Sequence, residues 1–485
     1  MENNNNNIAV TMEEVNRFKE RGYTNIDILP KVENRRNMTL ANYFTLWMGS
    51  IHNVPNYAMV AAFMLLGLST FNTMVAIALS GLAVAGLMMA NGRAGAKYGI
   101  PFAMHLRSTY GDAGAKLPGF LRGVVAAIAW FGVQTYFGSK ALLIIIGSLA
   151  PGFLNIGGGA TFLGMSVASW IAFIVFWLMN MAIGLSGGEV LNKFTAILTP
   201  IIYIVFGGMT IWAIRGAGGL GAIFNYVNPA ATHVNPLLGY LIMISGVLSV
   251  WAAPGASVAD FTQNAKNERD SGIGQAAGLF VGHALFGFMA VAIFAGGNII
   301  YNTNFTEVLD IINSWDTIPA VIIATAVFVL STISTNATSN IIPAGYQLSA
   351  LFPDKVDYKR GVMIAGIISV IIMPWKFAEG EGAFLTFLSF IGALLGPVAG
   401  VMIAHFYLIK NQQIDLDALY FDPKHPETSH FSGLNRNAYI ATIVGLLVSV
   451  IGQFIPALSV LSDLSWMVGF ATALVVYTLL QQDRA

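Results

Sequence analysis

Trp130-Phe131-Gly132-Val133-Gln134 sets an indole and a primary amide four residues apart, on one face of a helix. An indole stacks on a planar ring, and an amide pairs with the ring's edge. The same spacing also suits a lipid-facing Trp and a Gln bonded to a neighbouring helix. A second stretch, Ser331 to Asn340, is polar at eight of its ten positions. Ser331, Ser334 and Thr335 fall at i, i+3 and i+4. With carbonyls from a nearby unwound helix, such hydroxyls make a hard oxygen cage suited to Na⁺. Asn336 and Asn340 share an adjacent face. Interhelical packing by Ser and Thr is the alternative, but this density of polar groups exceeds what packing needs.

Two apolar segments contain helix breakers. One reads Trp47-Met48-Gly49-Ser50-Ile51-His52-Asn53-Val54-Pro55-Asn56-Tyr57 and the other Ser249-Val250-Trp251-Ala252-Ala253-Pro254-Gly255-Ala256-Ser257. Proline removes a backbone donor. Unwound backbone inside a bilayer is tolerated only where protein, water or a ligand satisfies its polar groups. Intramembrane charge is scarce. Lys140 lies near the outer end of its span, Asp260 closes a span at the inner side, and His52 stands at mid-depth beside the first break. The chain lacks cysteine, which excludes disulfides, thiol catalysis and cysteine-ligated metals. No zinc-protease, phosphate-loop or nucleophile-elbow motif occurs in a usable context, so an enzyme is not expected. Nor is there a filter sequence of the kind a channel needs.

The elements that must hold these residues are membrane spans. Of the 485 residues 56% are hydrophobic and only 10% charged, far from a soluble composition. A window of about 20 apolar residues predicts an all-α polytopic fold with about twelve spans. They lie near 40–68, 72–91, 119–150, 161–184, 192–214, 236–259, 273–298, 318–348, 361–378, 383–410, 437–455 and 458–480. With the N-terminus inside, all of the 24 Lys and Arg residues except Lys140, Arg215 and Lys376 fall on the cytoplasmic side. Both termini are therefore expected in the cytoplasm. The net charge of zero gives no reason to expect nucleic acid.

The two broken spans, the first and the sixth, are five spans apart. That spacing fits two five-helix repeats of opposite orientation with substrate and ion bound at the breaks. The expected organisation is a polar tail at 1–39 whose Asn3–Asn7 run reads as disordered, repeats at 40–235 and 236–410, a cytoplasmic loop at 411–436 and two added spans in 437–485.

These residues resemble the nucleobase–cation symporter-1 family, and within it most closely the bacterial allantoin permeases. The likeness runs from about residue 20 to 480 and includes Trp47 to Tyr57, Asn91-Gly92-Arg93-Ala94-Gly95, Trp130 to Gln134, Asp260-Phe261-Thr262, Ser334-Thr335-Asn336, Pro374-Trp375-Lys376 and Leu395-Gly396-Pro397. It implies a leucine-transporter fold and import of allantoin, another hydantoin, uracil or cytosine into a bacterial cell across its inner membrane. A passive facilitator is the alternative of another class. By the resemblance, Trp130 and Trp251 sandwich the ring, while Gln134, Asn340 and Asn53 hold its edges. The Na⁺ site is implied to use the carbonyls of Gly49 and His52 and positions Ser331, Ser334 and Thr335. Ser331 departs from the family's alanine. The coupling ion is expected to be Na⁺, with H⁺ through His52 as the alternative, and no other cofactor is implied. The expected partners are the substrate, the cation and the bilayer, and the chain is expected to act as a monomer. Lys140 has no counterpart in the family pattern.

Overall fold

The structure, a computed structural model, describes residues 8–186, 188–352, 355–379 and 382–482. Asn3–Asn7 and Arg484 lie outside the described residues. Eight helices among the described residues are long and apolar enough to cross a membrane: Thr70–Tyr98, Lys116–Leu149, Val167–Ser186, Ile197–Gly216, Glu268–Tyr301, Ile318–Leu351, Ala383–Ile409 and Arg436–Gln453. The other four expected spans are short or interrupted. The first is split into Leu40–Ile51 and Val54–Met64, and the sixth into Pro236–Val250, Ala252–Ala256 and Ala259–Thr262. The ninth is the short helix Tyr358–Ile371, followed by Pro374 and a separate turn at Trp375–Ala378. The twelfth enters through Pro456–Asp463, bent by 84° against Ser465–Gln481.

The breaks fall where the sequence puts them, and local chemistry explains how they persist. The first helix stops at His52 and Asn53, whose ψ angles of 99° and 159° are extended. Asn53 then caps the second half, its side chain accepting from Asn56 N–H at 3.1 Å, and Pro55 sits in the first turn, where its missing donor costs nothing. Carbonyls freed at the break find amides: Asn56 Nδ2 donates to Ile51 O at 2.6 Å and Asn53 Nδ2 to Ser50 O at 3.3 Å. At the sixth-span break Asn91 of the second span does the same, donating to Gly255 O and Ala256 O at 2.8 and 3.0 Å. These bonds meet the demand for satisfied backbone in an apolar medium.

Helix Glu268–Tyr301 packs along Thr70–Tyr98 and Leu40–Ile51, Ile318–Asn336 packs on Ala127–Leu149, and Ala383–Ile403, Arg436–Val450 and Ser465–Gln482 pack against one another. The third, eighth and tenth spans each contain a π-helical turn, at Leu121–Ala126, Ala337–Ile341 and Ala404–Ile409.

One span boundary is corrected, and two regions prove more ordered or more buried than the sequence indicated. The fourth span begins at Val167, not 161, because a hairpin of Thr161–Phe162 and Met165–Ser166 precedes it, turned by Leu163 and Gly164 at positive φ. The N-terminal stretch from residue 8 on is not a loose tail. Helix Met12–Glu20 has a capping box and docks on the segment expected to be a plain loop, with Phe18 stacked on Tyr420 at 4.5 Å. Arg122, counted with the interfacial positive charges, is fully buried.

Candidate substrate and cation sites

The two helix breaks and two unbroken spans converge on one half-open pocket with about 30 Å³ of free space. That is room for about one water, far below the size of a small-molecule site, so the lining side chains must part to admit a ring. Ser50, Asn53 and Asn56 line it from the first span, Trp130 and Gln134 from the third, Val250, Trp251 and Pro254 from the sixth, and Thr335, Ser339 and Asn340 from the eighth. All five residues read from the sequence as ring-binding are thus at one place, and no Asp, Glu, Lys or Arg lines it.

Each indole is braced. Trp130 meets Phe387 edge-on with centroids 4.9 Å apart, and Trp251 meets Trp47 edge-on at 5.7 Å and His283 at 5.4 Å. Such contacts fix the ring planes. Gln134 Oε1 is buried with no hydrogen-bond partner among the described residues. An unpaired buried acceptor costs about 1–3 kcal/mol, so a ligand N–H that reaches it gains a comparable amount. Asn53 is already engaged in capping, while Asn56, which the sequence reading did not single out, lines the cavity beside it.

The residues expected to form a cation site gather at the seam of the first, fifth and eighth spans. Thr335 Oγ1 donates to Ser50 O at 3.3 Å, and Ser334 Oγ pairs with Thr195 Oγ1 at 2.9 Å. Ser331 Oγ turns back to Phe328 O at 3.2 Å. Gly49 faces the fifth span so closely that a Cβ there would lie 2.4 Å from Thr199 Oγ1. The His52 ring is fully buried, bonded through Nδ1 to Tyr57 OH at 3.2 Å and stacked on Phe206 at 4.9 Å. It does not line the cavity. Thr195 is an oxygen that the sequence reading missed. It lies on another span, and only the tertiary fold brings it to Ser334.

Arg122 was also missed as a buried group. Its Nε donates to Ser257 Oγ and its Nη2 to Ser339 O, both at 3.0 Å. It therefore ties the third span to the end of the sixth and to the π-helical turn of the eighth. A cation inside the expected span 119–150 was the available signal. At the opposite end of the same span Lys140 Nζ binds both carboxylate oxygens of Glu307, at 2.7 and 2.5 Å, which gives it a partner rather than a free headgroup-directed role.

A helical bundle with two broken spans converging on a small, uncharged pocket is the architecture expected of a secondary transporter. The sequence profile of the family described as "Permease for cytosine/purines, uracil, thiamine, allantoin" matches residues 30–469, and the chain belongs to that family. It is 50% identical over 466 residues, 96% of each chain, to a protein of Escherichia coli (strain K12) provisionally named an allantoin permease. It is 33% identical to the allantoin permease of Bacillus subtilis (strain 168), covering 95% of this chain and 93% of that one. Its fold matches Mhp1, a nucleobase-cation-symport-1 family transporter in a closed conformation with bromovinylhydantoin bound, at a TM-score of 0.76 and 22% identity, over 94% and 95% of the two chains.

Proposed function

We propose that this permease imports allantoin across a bacterial inner membrane by cation symport with alternating access, with the face bearing the N-terminal segment in the cytoplasm. The observation that carries the reading is the cavity: two indoles and several amides, without a charged side chain, at two helix breaks. Allantoin is a neutral hydantoin with a ureido tail. Its recognition must come from stacking and amide hydrogen bonds, which is what this lining offers. The names of the relatives from E. coli and B. subtilis support the same ring.

We assign Na⁺ as the coupling ion, held by the carbonyls of Gly49 and His52 with Ser331, Ser334 and Thr335. Neutral oxygens suit a hard monovalent cation. His52, the alternative proton carrier, sits among Tyr57, Tyr203, Phe206 and Phe286.

The experiment is uptake of labelled allantoin by proteoliposomes. Accumulation above the equilibrium level, abolished by an ionophore, supports symport. Equilibration alone would make the protein a facilitator. A competition panel with uracil, cytosine and substituted hydantoins tests the ring, and stronger competition by a nucleobase than by allantoin would reassign the substrate.

A further inference from the structure

Behind Asn340 runs a chain of buried amides that the transport reading does not use. Asn340 Nδ2 donates to Asn336 Oδ1 at 2.8 Å. Asn336 Nδ2 faces three acceptors, Phe131 O, Thr135 Oγ1 and Asn180 Oδ1, each at 3.2 Å. Asn180 Nδ2 in turn donates to Phe176 O at 2.9 Å. Asn180 and Asn336 are both fully buried.

Two backbone carbonyls fix every orientation in this chain. A carbonyl only accepts, so Phe176 O obliges Asn180 to present its NH₂ and leaves Asn180 Oδ1 toward the eighth span. Phe131 O makes the same demand of Asn336. The oxygen of Asn336 is thereby turned toward Asn340, which must offer it an N–H. An amide flip would set like groups against each other at two contacts for Asn180, at three for Asn336 and at one for Asn340. Among the described residues Asn340 Oδ1 has no hydrogen-bond partner, and Asn340 lines the cavity.

We propose that Asn180 and Asn336 are positioning residues that lock the Asn340 amide with its oxygen free for the ligand, so that position 340 selects rings bearing an N–H at the edge it meets. The proposal rests on the transport reading above and adds to it a polarity. Thr135 contributes by accepting from Asn336 while its own hydroxyl is spent on Phe131 O at 2.7 Å. The π-helical turn at Ala337–Ile341 follows Asn336 directly and contains Asn340, a local widening of the helix that is common at binding sites. The lock spans three helices, so the donor pattern of the ligand is set by residues that never touch it.

The test compares hydantoin with its two mono-N-methylated derivatives as inhibitors of allantoin uptake by the purified transporter in proteoliposomes. In the wild type one methylated isomer should lose about tenfold or more in apparent affinity, the scale of one mismatched buried hydrogen bond. Asn336→Leu frees the Asn340 amide to rotate, and the ratio between hydantoin and that isomer should fall at least threefold. Asn180→Leu should lower the ratio in the same direction by less, because Phe131 O and Thr135 still hold Asn336. Asn180→Asp, protonated in this fully buried position so that its O–H donates to Phe176 O, keeps an acceptor for Asn336 and should retain the wild-type ratio. A structural role alone would lower the maximal rate for all ligands and leave the ratio unchanged, and that result in a variant that still transports overturns the proposal. If Asn336→Leu yields no folded protein, the Asn180→Leu and Asn180→Asp pair decides by the same ratio. Wild-type protein that takes up no allantoin would instead overturn the transport reading, a separate outcome.

Discussion

At the scale of single residues, the aromatic pair and the free amide make the sharpest claims. Trp130→Ala and Trp251→Ala should each raise the apparent KM for allantoin about tenfold or more, since stacking on an aromatic is worth about 1–3 kcal/mol per ring. Unchanged KM in both variants would place the ring elsewhere. Gln134→Ala should weaken allantoin by a similar factor but weaken much less an analogue lacking the N–H that Oε1 would accept. Equal losses for both ligands would point to a distorted helix. That Trp130, Gln134, Trp251 and Asn340 line one pocket was foreshadowed by the breaks and the polar face, whereas the ring-binding roles of Trp251 and Asn340 were read only from the family resemblance. Asn53 was legible only in part. Its capping role depends on where the helix restarts, and that was visible only as a nearby proline. Asn180 was illegible, since one Asn in an apolar span reads the same whether it packs, faces lipid or orients a second amide.

The helix breaks were readable from Gly49, Pro55, Pro254 and Gly255, whose backbone chemistry is local. The π-helical turns were not, because a π turn adds no residue type of its own. The seam between the first and fifth spans was equally hidden, although Gly49 marks it. Gly49→Ala should drive a methyl into Thr199, costing roughly 1–3 kcal/mol as overpacking does, read as a lower melting temperature in detergent. Thr199→Ala should recover most of that loss if the contact is the cause. Thr335→Ala removes the hydroxyl that joins the eighth span to Ser50 O and should abolish Na⁺ stimulation of uptake at fixed pH when Na⁺ is compared with choline. Wild-type uptake that ignores Na⁺ and collapses with the pH gradient would shift attention to His52.

Across the whole molecule, composition and charge pattern disclosed the bundle, but the order of its N-terminal segment was invisible because its partners are distant in sequence. Phe18, Tyr23 and Tyr420 close one apolar cluster, and Arg17 and Arg21 reach Asp417 at 2.8 and 3.1 Å. Those ion pairs are solvent-exposed enough that Asp417→Ala should change stability by at most about 1 kcal/mol. Tyr420→Ala empties a buried ring site, worth about 3–5 kcal/mol for large aromatics, and should expose residues 8–39 to limited proteolysis while Asp417→Ala does not. Further along the same segment Met38 N–H donates to Asn264 O, Lys266 N–H to Met38 O, and Arg36 Nε to Ala265 O at 3.1 Å. The partners of Arg21 lie 396 and 399 positions ahead. At roughly 5–20 residues per second of synthesis, the first residues to leave the ribosome wait roughly 20–80 s for the surface that receives them. During that interval Phe18 and Tyr23 lack the Tyr420 side of their cluster, although Ile8 N–H and Lys31 N–H can already reach Lys97 O and Gly99 O, so the segment's docking is completed only after ten of the expected spans have been made. Its docking is therefore a late step in biogenesis, and ribosome-arrested chains ending before residue 410 should be cleaved within residues 8–39 while the released protein is protected.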